Sequence, residues 1–158
     1  MKLIEFTQED FDGLYAFMQP LWIETYGGFL SKPQILLLLD KYFSADGLAR
    51  FRAQGYRYYK IDDAGVLVYA EREKDVYIDK LYLLPAARGK AYPDFVFCEL
   101  SKLKKDIRLN VNRSNERAVK CYLKNGFSVE KQEEIPLGGG MVNCDYVMVK
   151  KYKQLPQI

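Results

Sequence analysis

Two short segments carry residue types that can do chemistry. The first is Leu81-Tyr82-Leu83-Leu84-Pro85-Ala86-Ala87-Arg88-Gly89-Lys90-Ala91-Tyr92-Pro93. An apolar strand pattern stops at Pro85, a short cationic turn follows, and Pro93 opens a helix. Amides at a helix N-terminus are unpaired and carry partial positive charge, so such a turn can hold an anion. Arg88 and Lys90 add side-chain charge suited to phosphates. The plainer reading of the same residues is a solvated turn with two basic side chains. The second segment is Leu109-Asn110-Val111-Asn112, followed by Asn115, Ala118, Tyr122, Gly126 and Phe127. Asn115, Ala118 and Tyr122 are spaced to share one helix face. Tyr122 is either a core tyrosine with a satisfied hydroxyl or a phenol aimed across the end of the preceding strand. With an ordinary pKa of about 10 it stays protonated at pH 7 and can donate to a departing anion.

The residue inventory excludes much other chemistry. The 158 residues contain no histidine, so a Ser-His-Asp triad, a Cys-His pair and a His-ligated zinc site are all ruled out. Cys98, Cys121 and Cys144 are odd in number, widely spaced and form no C-x-x-C. Neither a thiolate metal site nor a paired disulfide framework is expected, and a reducing, cytoplasmic setting follows. Met1-Lys2-Leu3-Ile4-Glu5-Phe6 meets an acid at once and has no signal-peptide core. The apolar run Leu36 to Leu39 is far below the roughly 18 residues a membrane span needs. A net charge of +3 is too mild to imply nucleic acid. Nearly half the chain is hydrophobic and no Pro/Gly/Ser-rich linker divides it, which predicts a single domain over 1–158.

These candidates need elements to position them. Lys2 to Phe6 reads as a first strand. Phe11, Leu14, Tyr15, Phe17, Met18 and Leu21 repeat at helical spacing from Gln8 to about Trp22, and Tyr26-Gly27-Gly28-Phe29 breaks that pattern. Ser31 and Pro33 open a second helix, Gln34 to about Phe43, and a third runs from Ser44 to Gly55. The period then becomes two: Tyr56 to Asp62 and Val66 to Arg72 form a hairpin, and Val76 to Leu84 the next strand. Asp79 disturbs the parity of that strand, which predicts a bulge there. Pro93 begins a helix with Phe95, Val96, Leu100 and Leu103 inward. Ile107 to Val111 is a strand. Ser114 or Asn115 caps a helix that ends at Asn125-Gly126. Phe127 to Ile135 and Met141 to Lys151 form a last hairpin around Gly138-Gly139-Gly140. The order is a strand, helices, three strands and a β-α-β-α-β-β run: an α/β fold with a mixed, mostly antiparallel central sheet flanked by helices. Edge strands near Met141 to Lys151, with 13 tyrosines in the chain, make a homodimer reasonable.

Together the two segments resemble the GCN5-related N-acetyltransferase (GNAT) superfamily, across essentially the whole element order. The family's pyrophosphate motif, Arg/Gln-x-x-Gly-x-Gly/Ala, corresponds to Arg88-Gly89-Lys90-Ala91-Tyr92-Pro93. Its later motif, Asn-x-x-Ala-x-x-x-Tyr-x-x-x-Gly-Phe, is matched at Asn115, Ala118, Tyr122, Gly126 and Phe127, the more specific of the two. Leu21-Trp22-Ile23-Glu24-Thr25-Tyr26-Gly27-Gly28 and Gly138-Gly139-Gly140-Met141-Val142-Asn143-Cys144-Asp145-Tyr146 are similar to a bacterial branch of PaiA-like polyamine acetyltransferases. The first motif departs from the pattern. Ala91 and Pro93 stand where small residues, usually glycine, are expected, so a Cβ is added and one N–H donor lost. Asp94 places a negative charge at the same helix start, which suits the helix and repels a phosphate.

The resemblance implies acetyl-CoA as co-substrate and no metal. It places the thioester between two diverging strands, one ending near Leu83 and the other near Val111. The backbone of Leu81, Tyr82 and Leu83 would pair with the pantetheine arm and polarise the carbonyl. Arg88, Gly89, Lys90, Ala91 and Tyr92 would hold the pyrophosphate, with Asn115 and Tyr122 completing the cofactor site. A neutral amine then attacks directly, and Tyr122 protonates or hydrogen-bonds the leaving thiolate as general acid. Cys121 reads as packing, pointing elsewhere on the helix. For the base, Asp79 leads if Tyr77 and Leu81 bury it; otherwise it is a bulge aspartate bonded to backbone or paired near Lys80. Glu24 and Tyr26 lie where such families line the acceptor pocket, although Glu24 is equally an ordinary exposed helix-end acid. Glu71, Glu73 and Asp145 are further acids without a stronger claim. The partner is a small-molecule or peptide amine. The alternative is a non-catalytic binding module of the same fold whose CoA site Ala91, Pro93 and Asp94 have weakened.

Overall fold

The computed structural model describes residues 1–28, 30–138 and 140–153. Its elements are β1 (Leu3–Glu5), α1 (Gln8–Tyr26), α2 (Lys32–Phe43), α3 (Ala45–Ala53), β2 (Tyr56–Ile61), β3 (Gly65–Glu71) and β4 (Asp75–Leu83), then a 3-10 turn (Pro85–Ala87), α4 (Tyr92–Ser101), β5 (Asp106–Asn112), α5 (Glu116–Lys124), β6 (Ser128–Gly138) and β7 (Met141–Lys150). The expected β-α-β-α-β-β run thus begins on β4, the third strand of the central meander. Phe29 of the expected helix break and Gly139 of the expected final turn lie outside the described residues.

Local chemistry accounts for the helix starts. Thr7 and Asp10 form a reciprocal capping box on α1, and Ser31 does the same with Gln34 on α2. The Ser44 hydroxyl accepts from the Gly47 amide at 3.0 Å and caps α3. The first helix does not stop near Trp22 as its apolar spacing suggests. It passes through Pro20 and ends where the Gly27 amide donates to the Ile23 carbonyl at 2.8 Å. Proline removes one helix hydrogen bond, and the turn beyond it carries Thr25 and Tyr26 over the sheet.

The seven strands form one sheet in the order β1-β2-β3-β4-β5-β7-β6. Every pair is antiparallel except β4–β5, so the expected mixed, mostly antiparallel sheet is what is found. β7, expected at an edge, lies between β5 and β6, and β6 is the edge strand. One face of the sheet, with Val76, Ile78, Leu109 and Met148, packs against Val96, Phe97 and Leu100 of α4, and Phe127 and the half-buried Ala118, Val119 and Tyr122 complete that core. The other face buries Tyr58, Val66 and Val68 under Leu14 and Met18 of α1, Ile35 and Leu39 of α2 and Leu48 of α3. On α4 the buried phenylalanine is Phe97, with Phe95 only half-buried.

Three features of β4 prepare the site. Val68 pairs with Lys80 and Tyr69 with Ile78, leaving Asp79 as the extra residue of a β-bulge. Its parallel partnership with β5 runs only from Asp75↔Asp106 to Ile78↔Leu109. Beyond that point β4 stays with β3 as far as Leu83, and β5 stays with β7 as far as Asn112. The sheet therefore opens between β4 and β5.

Phe97 is 1% exposed and meets Phe127 at 4.9 Å and Tyr122 at 6.0 Å between ring centroids. Truncation leaves a cavity beneath α4. Phe97→Ala is expected to cost about 3–5 kcal/mol in denaturant unfolding. A loss below about 1 kcal/mol would show that this aromatic cluster does not anchor the helix.

Candidate functional site

The opening between β4 and β5 continues into a cleft of about 790 Å³. Leu81, Tyr82 and Leu83 form one wall, the turn Arg88–Ala91 with Pro93 and Asp94 a second, and α5 from Asn115 to Lys124 a third. Both motif segments, which the chain separates by the rest of α4 and by β5, thus converge on one space. Two smaller hollows, of about 360 and 470 Å³, lie around Phe11 and Arg52 and contain neither segment.

The turn is built for close approach. Gly89 takes a φ of +77°, and a Cβ there would meet no heavy atom within 4 Å, so the left-handed backbone, not crowding, is what calls for glycine. Arg88 is folded back on β4, its Nε donating to the Leu83 carbonyl at 3.3 Å and its guanidinium 5.9 Å from the Tyr82 ring. Among the described residues, Arg88, Lys90, Arg117, Lys120 and Lys124 place five cationic side chains around the cleft against the single carboxylate of Asp94. That balance fits a polyanion. Three of those cations belong to α5 and were not singled out in the sequence; read as a helix surface they resemble any solvated face. Pro93 and Asp94 do stand in the lining. The Tyr92 side chain is instead half-buried against the core.

Asn115 caps α5, its Oδ1 accepting from the Ala118 amide at 3.3 Å. Tyr122, two turns on, presses its ring against Phe97 and Phe127 and borders the cleft. Burial, with a smaller contribution from Cys121, pushes the phenol up to about 12, so it is protonated throughout the physiological range. Cys121 does not point away as expected: it also lines the cleft. Burial raises its thiol, and Asn125 approaches its Sγ at 3.8 Å. A raised thiol is a poor nucleophile.

The expected acceptor-side residues are distributed differently. Asp79 is bonded to Lys80 at 2.8 Å, and the Lys80 ammonium sits 5.2–6.0 Å from the rings of Trp22, Tyr42 and Phe43. Asp79 is thus half-buried, ion-paired with Lys80 and outside the cleft lining. Glu24 is exposed at the end of α1, and its neighbour Thr25 lines the cleft in its place. Tyr26 is half-buried against Trp22, and its hydroxyl is raised by burial and then by the negative charge of Asp145. Asp145, from the far end of the chain, is thus within electrostatic reach of the helix end that the sequence marked.

Comparison with known proteins gives three results. No family model matches the chain. Two proteins named as uncharacterized N-acetyltransferases, from Mycobacterium bovis and Mycobacterium tuberculosis, are each 33% identical over 84 residues, covering 50% of this chain and 53% of theirs. The match therefore spans about half the length of these curated relatives. Among solved structures, a PaiA N-acetyltransferase from Thermoplasma acidophilum, in complex with coenzyme A, superposes with a TM-score of 0.71 at 24% identity, covering 96% of this chain and 98% of that one. A spermidine N-acetyltransferase chimera from Vibrio cholerae gives 0.62 at 15% identity, covering 96% and 94%. The chain thus has the fold of these acetyltransferases and, over half its length, a sequence likeness to proteins named as N-acetyltransferases.

Proposed function

We propose that this chain, acting as one domain over residues 1–158, is an acetyl-CoA-dependent N-acetyltransferase that passes an acetyl group to a primary amine by direct attack. The observation that carries this reading is the convergence of the open β4 edge, the Arg88–Ala91 turn and Tyr122 on one cationic cleft. The coenzyme A bound to the PaiA neighbour supports the same co-substrate. The spermidine named for a second neighbour supports a small-molecule amine, with a peptide amine as the other member of that class. A cytoplasmic setting and a homodimer across the β6 edge belong to the same reading.

Bound acetyl-CoA would supply the activated thioester. The residues that would hold it are Leu81, Tyr82 and Leu83 through backbone, the amides of Gly89, Lys90 and Ala91, and the side chains of Arg88, Lys90 and Asn115. An N–H on the β4 edge is the fixed donor for the carbonyl oxygen. Tyr122 serves the leaving sulfur. Burial pushes its pKa up to about 12, above the range of an ordinary thiol, so complete transfer to a thiolate is uphill. Tyr122 therefore acts chiefly as a hydrogen-bond donor that shares its proton as sulfur departs. The raised Cys121 thiol leaves direct attack in place of an acyl-enzyme.

A second reading rests on Pro93 and Asp94. One lacks an amide donor and the other opposes phosphate charge, which favours a GNAT-fold binding module with a weakened CoA site. Two variants separate the readings. Tyr122→Phe is expected to lower kcat by more than about tenfold while leaving CoA affinity within about twofold; unchanged turnover removes Tyr122 from the reaction. Pro93→Gly is expected to tighten CoA binding in calorimetric titration by restoring a donor. Equal or weaker affinity would mean the turn already satisfies the phosphates without it.

A further inference from the structure

Among the described residues the sheet buries two carboxylates, Asp75 at 6% exposure and Asp145 at 5%, and treats them oppositely. Asp75 accepts from Arg72 at 2.6 and 2.7 Å and from Arg108 at 2.9 Å, and these guanidiniums hold its carboxyl below the usual carboxylate range. Asp145 has no cationic partner among the described residues. Its Oδ1 accepts from the Asn143 amide at 2.8 Å and its Oδ2 from the Asn110 amide at 3.3 Å. A buried carboxylate matched only by neutral amides is costly, and in a native fold that cost calls for an explanation.

Its position supplies one. Tyr77 of β4 donates to Asn110 Oδ1 of β5 at 2.8 Å; Asn110 reaches Asp145 of β7, and Asn143 links onward to Asn112. This polar chain crosses from β4 to β7 at the point where the β4–β5 pairing ends, after Ile78↔Leu109. Its side chains stand on the sheet face opposite α4 and α5, away from the cationic walls of the cleft. Thr25 of α1 lines the cleft, and the next residue, Tyr26, lies within electrostatic reach of Asp145.

We propose that Asp145 is the counter-charge for the acceptor's ammonium group and the first acceptor of its proton. The ligand class is a cationic primary amine. The step is a single proton transfer, from R–NH3+ to an Asp145 carboxylate oxygen, which frees the nitrogen lone pair for the N–C bond; the carboxyl later returns the proton to solvent. The groups facing Asp145 are Tyr26 from α1, Tyr77 from β4, Asn110 from β5, Glu133 from β6 and Asn143 from β7. Glu133 is itself paired with Lys131 at 3.2 Å. Burial, and after it the charge of Glu133, raises the Asp145 carboxyl, while the Asn110 amide opposes this. A raised carboxyl is the better proton acceptor.

This inference rests on the acetyltransferase reading for its catalytic half, and the test keeps the two apart. The Asp145 carboxyl carbon is followed by NMR in the full chain as 1,4-diaminobutane is added to about 10 mM, with and without coenzyme A. A saturable shift and a lowered titration midpoint are expected; no saturable shift in either condition overturns the ammonium site, even if acetyl transfer is measured. In parallel, Asp145→Asn is expected to lose at least about tenfold in kcat/KM, and with it the acidic limb of the pH profile, at unchanged CoA affinity. Asp145→Glu is expected to recover part of both. An Asn variant that keeps the limb and the rate overturns the proton-accepting role. A saturable shift without turnover in the natural protein overturns the acetyltransferase reading and leaves the ammonium site standing.

Discussion

Everything in the site depends on one break in backbone pairing. β4 and β5 are the single parallel pair of the sheet, and they part after Ile78 and Leu109. Each strand keeps its outer partner, β3 to Leu83 and β7 to Asn112, so neither can swing across to close the gap. The Asp79 bulge sits at the parting, where a locally stronger twist helps turn the end of β4 away from its neighbour. Backbone groups along that edge are left without a strand partner inside an otherwise continuous sheet. Natural folds seldom leave such groups unanswered, and an extended ligand is the partner this gap suits.

The two sides of the opening differ in charge. On the α4–α5 side, Arg88, Lys90, Arg117, Lys120 and Lys124 surround the cleft, with Asp94 the one acid against them among the described residues. On the α1 side, the buried Asp145 has amides for partners and, among the described residues, no cation. The sheet thus separates a surface suited to a polyphosphate from one suited to an ammonium group. Asp75, a few residues from the same gap and fully matched by arginines, shows that the fold can neutralise a buried acid when that acid is structural.

How much of this was legible depended on whether the signal was local. Asn115, Ala118 and Tyr122 lie within one helix, so their shared face could be read from spacing alone. The bulge at Asp79 could be read because it breaks a period of two within a single strand. Asp145 could not: Asn143 lies in its own strand, but Asn110 on β5 and Glu133 on β6, which complete its surroundings, are not revealed by spacing within β7. Asp79 was the mirror case: its sequence neighbours suggested burial, but Lys80, held among Trp22, Tyr42 and Phe43, supplies a counter-charge. The cationic wall of α5 was hidden for a related reason, since lysines on a helix look the same facing a cleft or facing water. The apolar spacing of α1 runs out near Trp22, yet the helix continues through its last turn to Tyr26.

The central claim is that the cleft beside β4 is a coenzyme A site despite Pro93 and Asp94. Calorimetric titration of the purified chain with acetyl-CoA, at moderate and at raised salt, tests it most directly. The structure predicts one-to-one binding in the micromolar range that weakens as salt screens the five cations. No heat at millimolar acetyl-CoA, with no competition by free CoA, would contradict the claim: it would leave the GNAT fold in place and remove the acetyltransferase reading.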